Sequence, residues 1–81
     1  MEKTIYNEAY RAQIIRALKE RRRILGLKQN EVSRQAGMGA TWLGKIERCE
    51  LRLDVFYLVK LCRIYGVSPG KLVAGMEKEL P

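Results

Sequence analysis

Four turn signals, three of them containing glycine, divide the 81-residue sequence into five short segments, and this division most constrains the fold. The signals are Gly26 and residues 37–39, 49–53 and 66–69. Apolar residues recur at helical spacing between them, whereas the alternation typical of a strand is absent over any useful length. The sequence therefore predicts a compact all-α fold of five helices.

Length and charge narrow the class of protein. A chain of 81 residues predicts one small domain over residues 1–81, since its core covers only about 60% of the surface that the unfolded chain exposes. The formal net charge is +7, and residues 16–52 supply six of those charges. For any single lysine or arginine, solvated helix surface is the better explanation. The clustering instead favours a polyanionic partner.

The first segment, residues 7–25, carries Ile14, Ile15 and Leu18 on one helical face, and Arg22 falls on the same face. A charge on an apolar stripe is costly unless it is paired. We therefore expect Arg22 to meet a carboxylate from another segment. Asn7 is suited to cap the start of this helix, and Gly26 is suited to end it.

Residues 28–36 and 40–48 predict two short helices joined through Gly37, whose freedom at positive φ suits a tight turn. Ser33 is small where the two helices cross, and Leu43 and Ile46 place one face of the second helix in the core. The opposite face is small or basic. These features fit an ordinary helical hairpin equally well, but the basic bias favours a DNA-binding helix-turn-helix over residues 29–48.

The last two segments begin with recognisable caps. Asp54 precedes residues 55–65, which are apolar nearly all round, so this helix is either central to the core or shares its outer face with a partner. Ser68 and Pro69 suit the N-cap and first position of the fifth helix. An interface between two copies is predicted from helix five and the tail, residues 69–81, and from outward residues of helix four. Its candidate residues are Phe56, Tyr57, Leu72, Val73 and Met76.

Several functional classes find no support in the sequence. Cys49 and Cys62 are the only cysteines and there is no histidine, so a zinc site or a Cys-His catalytic pair cannot be assembled. We expect no metal, no cofactor and no enzymatic activity. No apolar run approaches the length of a membrane span, and a reduced cytoplasmic protein is expected. Cys62 suits the core, and thiol sensing at Cys49 is a minor alternative.

A family resemblance covers residues 14–73. The stretches that carry it are residues 27–29, 35–37, 42–48, 53–55 and 65–69, in this order and spacing. Together they resemble the lambda-repressor-like helix-turn-helix family, which includes phage repressors, Cro proteins, restriction controllers and small antitoxins. The resemblance implies a five-helix DNA-binding fold, in which the second helix of the motif enters the major groove.

The resemblance also assigns roles to individual residues. Gln29 matches a glutamine that touches a phosphate and braces the recognition helix. Arg22 and Glu47 match an internal ion pair, which agrees with the partner that the apolar stripe demands for Arg22. The positions that match residues facing base edges are Gly39, Ala40, Thr41 and Lys45.

Four positions depart from the family pattern, which usually has Ser or Thr at 28 and 39, Gly at 49 and an acidic residue at 71, where this chain has Lys71. At position 28, we expect the charge of Lys28 to take over the contact to phosphate that a hydroxyl usually makes, and Gly39 lacks the other hydroxyl. The backbone at Cys49 is expected to be strained. For Trp42, helix packing is the favoured role and an indole contact to phosphate the alternative.

Base reading is expected to fall mainly to two side chains. Lys45 is suited to guanine, and Thr41 to a base edge or a thymine methyl. Arg48 and Arg52 are expected to contact the DNA backbone. So few base contacts imply that two copies bind a palindromic operator with half-sites about 10 base pairs apart. The expected function is a DNA-binding repressor or autoregulator. The alternative is an antitoxin or adaptor whose apolar surface binds a small protein.

Overall fold

The computed structural model describes the backbone of residues 2–77 and the side chains of residues 11–74, and this part of the chain consists of helices joined by turns and short loops. Five helices follow one another: α1 (Glu2–Ile24), α2 (Gln29–Gln35), α3 (Trp42–Glu47), α4 (Val55–Tyr65) and α5 (Pro69–Glu77). The predicted all-α, five-helix class is confirmed. None of the described helices is long and apolar enough to cross a membrane.

Helix α1 begins earlier than predicted. It starts at Glu2, so Asn7 lies inside the helix and the expected cap at Asn7 is wrong. Residues 2–6 contain no glycine or proline to interrupt the helical backbone, and an acidic residue suits the first turn of a helix. The helix ends as predicted, because Gly26 adopts a left-handed conformation with φ of +71°.

The predicted caps of the last two helices are present. The Asp54 carboxylate accepts a hydrogen bond from the backbone N–H of Tyr57 at 3.0 Å. The Ser68 hydroxyl oxygen accepts one from the N–H of Lys71 at 3.4 Å, directly before the first residue of α5, Pro69. These bonds satisfy N–H groups that a helix start otherwise leaves without a partner.

The core lies where α1 and α4 close over the α2–α3 pair. Its buried members come from all four of these helices and from the residue after α2: Ile15, Leu18, Val32, Ala36, Trp42, Leu43, Ile46, Leu61, Cys62 and Tyr65. Helix α5 packs against α1 and α4. Helix α4 also secures the end of α2, because the Lys60 ammonium donates to the Ala36 carbonyl oxygen at 2.9 Å.

The two cysteines occupy opposite environments. Cys62 is fully buried, as predicted, and burial raises the pKa of its thiol. Cys49 is exposed and has φ of +61°, so a side chain occupies a conformation that favours glycine. The expected backbone strain at Cys49 is therefore present.

Replacing Cys49 by glycine should stabilise the fold. The change removes the Cβ from a left-handed residue but adds backbone freedom to the unfolded chain, so we expect a net gain of about 0.5–1 kcal/mol. Urea denaturation of Cys49→Gly measures it, with Cys49→Ala as the control because alanine keeps the Cβ. A gain of equal size in Cys49→Ala would show that the thiol, rather than the backbone, is the source.

Candidate nucleic-acid interface

Helices α2 and α3 border an open cleft on the surface of the protein. Four of its lining residues belong to the predicted DNA-binding set: Gln29, Ala40, Thr41 and Arg48. Asn30 and Gly44 complete the lining. The other residues predicted to face base edges, Gly39 and Lys45, are exposed. Two of the four predicted base-facing residues, Ala40 and Thr41, therefore line the cleft, and Lys45 lies one helical turn after Thr41 in α3.

Helix α3 has a buried face and an open face. Leu43 and Ile46 are each 1% exposed and anchor it in the core, while Thr41 and Lys45 remain exposed on its other side. The helix is only six residues long, so its orientation depends on contacts with its neighbours rather than on its own stability.

A buried hydrogen bond fixes the start of α3 against α2. The Ser33 hydroxyl oxygen accepts from the backbone N–H of Leu43 at 2.9 Å, and Ser33 is fully buried. Among the described residues, this hydroxyl takes the place of a cap on α3, because the Thr41 side chain makes no capping bond. Ser33 was predicted from its small size alone, and its role as an acceptor was missed.

An ion pair fixes the far end of α3 against α1. The Arg22 guanidinium donates to both carboxylate oxygens of Glu47, from Nε to Oε2 at 2.7 Å and from Nη2 to Oε1 at 3.0 Å. Its Nη1 donates to the Leu27 carbonyl oxygen at 2.8 Å. The side chains of Arg22 and Glu47 are 12% and 5% exposed. The apolar stripe on α1 thus has the carboxylate partner that its sequence requires.

Gln29 joins the same network. Its Nε2 donates to Glu47 Oε1 at 2.8 Å, so the first residue of α2 is bonded to the last residue of α3. A bidentate carboxylate with a third donor holds all of these side chains in one arrangement. Gln29 is exposed at the mouth of the cleft and braces α3, as the family resemblance implies.

Gly44 lets two side chains cross α3 closely. A Cβ placed on Gly44 would lie 3.2 Å from Arg48 Nη1 and 3.3 Å from Gln29 Oε1. Both atoms are at the far ends of flexible side chains, so they could move a few tenths of an ångström to accommodate it. The absence of a side chain at Gly44 therefore leaves room at the cleft for the ends of the Gln29 and Arg48 side chains.

Replacing Gly44 by alanine should separate stability from DNA binding. Alanine favours a helix interior by about 0.8–1 kcal/mol over glycine, so we expect the melting temperature to stay level or rise. DNA affinity should fall, because Gln29 and Arg48 are displaced. Gly70→Ala in α5 is the matched control, since its nearest neighbour is Ser68 Oγ at 3.7 Å. Loss of stability in Gly44→Ala would contradict this account of the glycine.

Arg48 lies across the cleft and is held by a neighbouring acid. Its Nε donates to Glu50 Oε2 at 2.6 Å, and both side chains are more than half exposed. The hydrogen bond raises the pKa of Arg48 and lowers the pKa of Glu50, and the charge of Lys45 also contributes to the lowering. Glu50 was not among the predicted site residues, and its position two residues after Arg48 was the available signal.

Trp42 does not present its ring to a nucleic acid. The residue is 7% exposed, and its ring meets Tyr57 in a T-shaped contact with centroids 5.2 Å apart. Its inclusion among the DNA-binding residues is therefore corrected to the packing role that its position favours. Trp42 lies on the core-facing side of α3, so its ring packs in the core.

The remaining predicted backbone contacts lie at the ends of the motif. Lys28 precedes α2 and is exposed, and its N–H donates to Glu31 Oε1 at 3.1 Å. This bond is one half of a capping box, and the other half is missing because a lysine side chain has no acceptor. Arg52 is also exposed. Among the described residues, no group of side chains is suited to hold a metal ion.

Four large apolar side chains in or just before α4 are exposed. Phe56 is 84% exposed, Val55 is 73% exposed, and Val59 and Leu51 are 39% exposed each. We call these four residues the α4 apolar patch. The N–H of Leu51 donates to the Lys45 carbonyl oxygen at 3.3 Å, so the patch adjoins the end of α3.

The predicted interface residues are only partly in this patch. Phe56 belongs to it, whereas Tyr57 and Leu72 are half-buried and pack against the core, and their place in an interface between copies stays a prediction. Val73 is also half-buried, and the side chain of Met76 lies outside the described residues. Val55, Val59 and Leu51 were missed, because a helix that is apolar nearly all round does not show which face is covered.

Comparison with known proteins gives this arrangement a family. The sequence profile of a family described as "Helix-turn-helix domain" matches residues 12–74, which include α2, α3 and α4 in full. The chain belongs to the lambda-repressor-like (XRE) helix-turn-helix family. It is similar in structure to an XRE-family like protein from Pseudomonas syringae pv. tomato str. DC3000, with 34% sequence identity and a TM-score of 0.85. That similarity covers 99% of this chain and 96% of the other.

A comparison with curated proteins finds no match. Membership of the helix-turn-helix family indicates a DNA-binding regulator of transcription. It does not extend to a phage repressor or Cro protein in particular.

Proposed function

We propose that this member of the helix-turn-helix family represses transcription by binding a palindromic operator as a homodimer, with its own promoter among the candidate targets. The observation that carries the proposal is the open face of α3. Thr41 and Lys45 are exposed on it, and the Ser33 and Glu47 hydrogen bonds hold the helix from both ends. A short helix held in this way presents its side chains to base edges in a fixed register.

The side chains divide into two groups by their expected contacts. Lys45 can donate to guanine O6 or N7, and Thr41 can bond a base edge or place its methyl group against thymine. Lys28, Gln29, Arg48 and Arg52 surround them and are suited to phosphate oxygens. Gly39 and Ala40 are exposed and small, which allows a close approach of the α3 start to the groove.

A homodimer follows from two features of this surface. Two base-reading side chains specify too few base pairs to define an operator, so a second copy is needed for specificity. The α4 apolar patch offers a surface for it, since its four large apolar side chains are exposed within residues 51–59, and clustered exposure of this kind marks protein contact sites. The patch adjoins the end of α3, so pairing through it would place two recognition helices near each other.

Selection of bound duplexes from a random-sequence library tests the proposed function. We expect enrichment of a palindromic motif whose half-sites are about 10 base pairs apart. Affinity for the selected duplex should fall steeply with added salt, because several basic side chains release counterions from phosphates. A library without any enriched motif would contradict specific DNA binding. It would favour the alternative in which the α4 apolar patch binds a small protein partner.

A further inference from the structure

One acidic side chain lies among the basic residues of the proposed DNA surface. Glu50 follows α3, and its backbone N–H donates to the Lys45 carbonyl oxygen at 2.8 Å. Its carboxylate receives two bonds from Arg48, from Nε at 2.6 Å and from Nη2 at 3.4 Å. The third guanidinium nitrogen of Arg48 lies over Gly44, within the cleft. Glu50 thus holds a phosphate-binding group at the site where a phosphate would arrive.

We propose that Glu50 limits operator affinity, because its carboxylate holds Arg48 and a DNA phosphate must displace it to gain the guanidinium contact. The inference rests on the proposed DNA-binding function. Its basis is the placement of an anion directly on a cation that faces the DNA. Such a placement lowers the affinity for a polyanion, because a phosphate gains the guanidinium only when the existing pair is broken. A complex that breaks the pair bears its full cost, whereas a complex that leaves the pair intact loses only the weaker phosphate contact.

The two kinds of complex differ in how closely they hold the phosphate. Non-specific binding depends almost entirely on phosphate charge, and the backbone is not held in one register. There, Arg48 stays with Glu50 and adds little to the affinity. In an operator complex, base contacts from Lys45 and Thr41 fix the register, so a phosphate can displace the carboxylate from Arg48. An exposed ion pair is weak enough to be exchanged in this way.

The pair has no evident role in folding. Both side chains are more than half exposed, at 58% for Arg48 and 54% for Glu50, and neither belongs to the core. The Arg22–Glu47 pair contrasts with it, since its side chains are 12% and 5% exposed. A change at Glu50 should therefore alter DNA binding while leaving the melting temperature close to that of the wild type.

Replacing Glu50 by glutamine tests the proposal. We expect affinity for the selected operator to rise roughly three- to tenfold at low salt, because Arg48 no longer has to leave a carboxylate. Affinity for a short random-sequence duplex should rise less, so the ratio of operator affinity to random-sequence affinity rises. Glu20→Gln is the matched control, because it makes the same charge change on the exposed side of α1. An equal rise in affinity for both duplexes would show that Glu50 acts only through net charge, and would overturn the proposal.

A double-mutant cycle with Arg48→Ala shows whether Glu50 acts through Arg48. We expect the effect of Glu50→Gln on the affinity ratio to disappear when Arg48 is absent. An undiminished effect would contradict competition for the guanidinium. The proposed function and the role of Glu50 can fail separately. If the wild type enriches no sequence, specific DNA binding is wrong. If an operator is found but Glu50→Gln leaves the affinity ratio unchanged, only the role of Glu50 is contradicted.

Discussion

Glu47→Ala should lower the free energy of unfolding by about 3 kcal/mol, since it leaves the guanidinium of Arg22 without its carboxylate in a nearly buried position. The loss also removes the acceptor of Gln29, so α3 is detached from both α1 and α2 at its end. For a protein of this size, a loss of that magnitude lowers the melting temperature by roughly 12–20 °C. Thermal unfolding followed by circular dichroism measures it.

Two variants serve as controls for this prediction. Glu50→Ala removes a carboxylate from an exposed pair, and its melting temperature should change little. The double variant Arg22→Met/Glu47→Leu replaces both charges by apolar groups and should recover much of the loss, because no buried charge is left unpaired. An unchanged melting temperature in Glu47→Ala would show that the pair does not hold α3 in place.

Phe56→Asp should convert the proposed homodimer to a monomer and lower operator affinity at least about 100-fold, since each recognition helix then binds alone. Phe56 is 84% exposed, so the fold of each copy should remain stable. Sedimentation at micromolar concentration and operator titration measure the two effects. Ile24→Asp is the matched control, because it places the same charge on another exposed apolar residue, 68% exposed at the end of α1.

The oligomeric state of the wild type separates the two explanations of the α4 apolar patch. A wild-type dimer that Phe56→Asp dissociates supports the second copy as the occupant. A wild-type monomer at micromolar concentration would contradict the homodimer and favour a different protein partner on this face.

The fold could be predicted well because its determinants are local. Gly26, Gly37 and Gly66 punctuate the chain, and each has positive φ, as a left-handed turn residue requires. Asp54 and Ser68 lie at the helix starts that their side chains suit. The start of α1 was missed because Asn7 suits a cap, whereas residues 2–6 contain no glycine or proline and the helix continues through Asn7.

The site could be predicted only where a physical conflict or a family match pointed to it. The charge of Arg22 lies on an apolar stripe and therefore required a carboxylate partner. This requirement predicted the long-range contact with Glu47. No comparable conflict pointed to Glu50, whose importance depends on the direction that Arg48 takes across Gly44. Which face of α4 is covered likewise depends on how the helices pack, and an apolar sequence does not reveal it.

Repeating the selection with Lys45→Ala tests whether α3 reads base edges. We expect this variant to keep the palindrome and its spacing but to lose preference at one base pair in each half-site. Arg52→Ala, which removes an exposed charge outside α3, should keep the motif unchanged and bind all sequences more weakly. A motif identical to that of the wild type in Lys45→Ala would contradict base reading by Lys45 of α3.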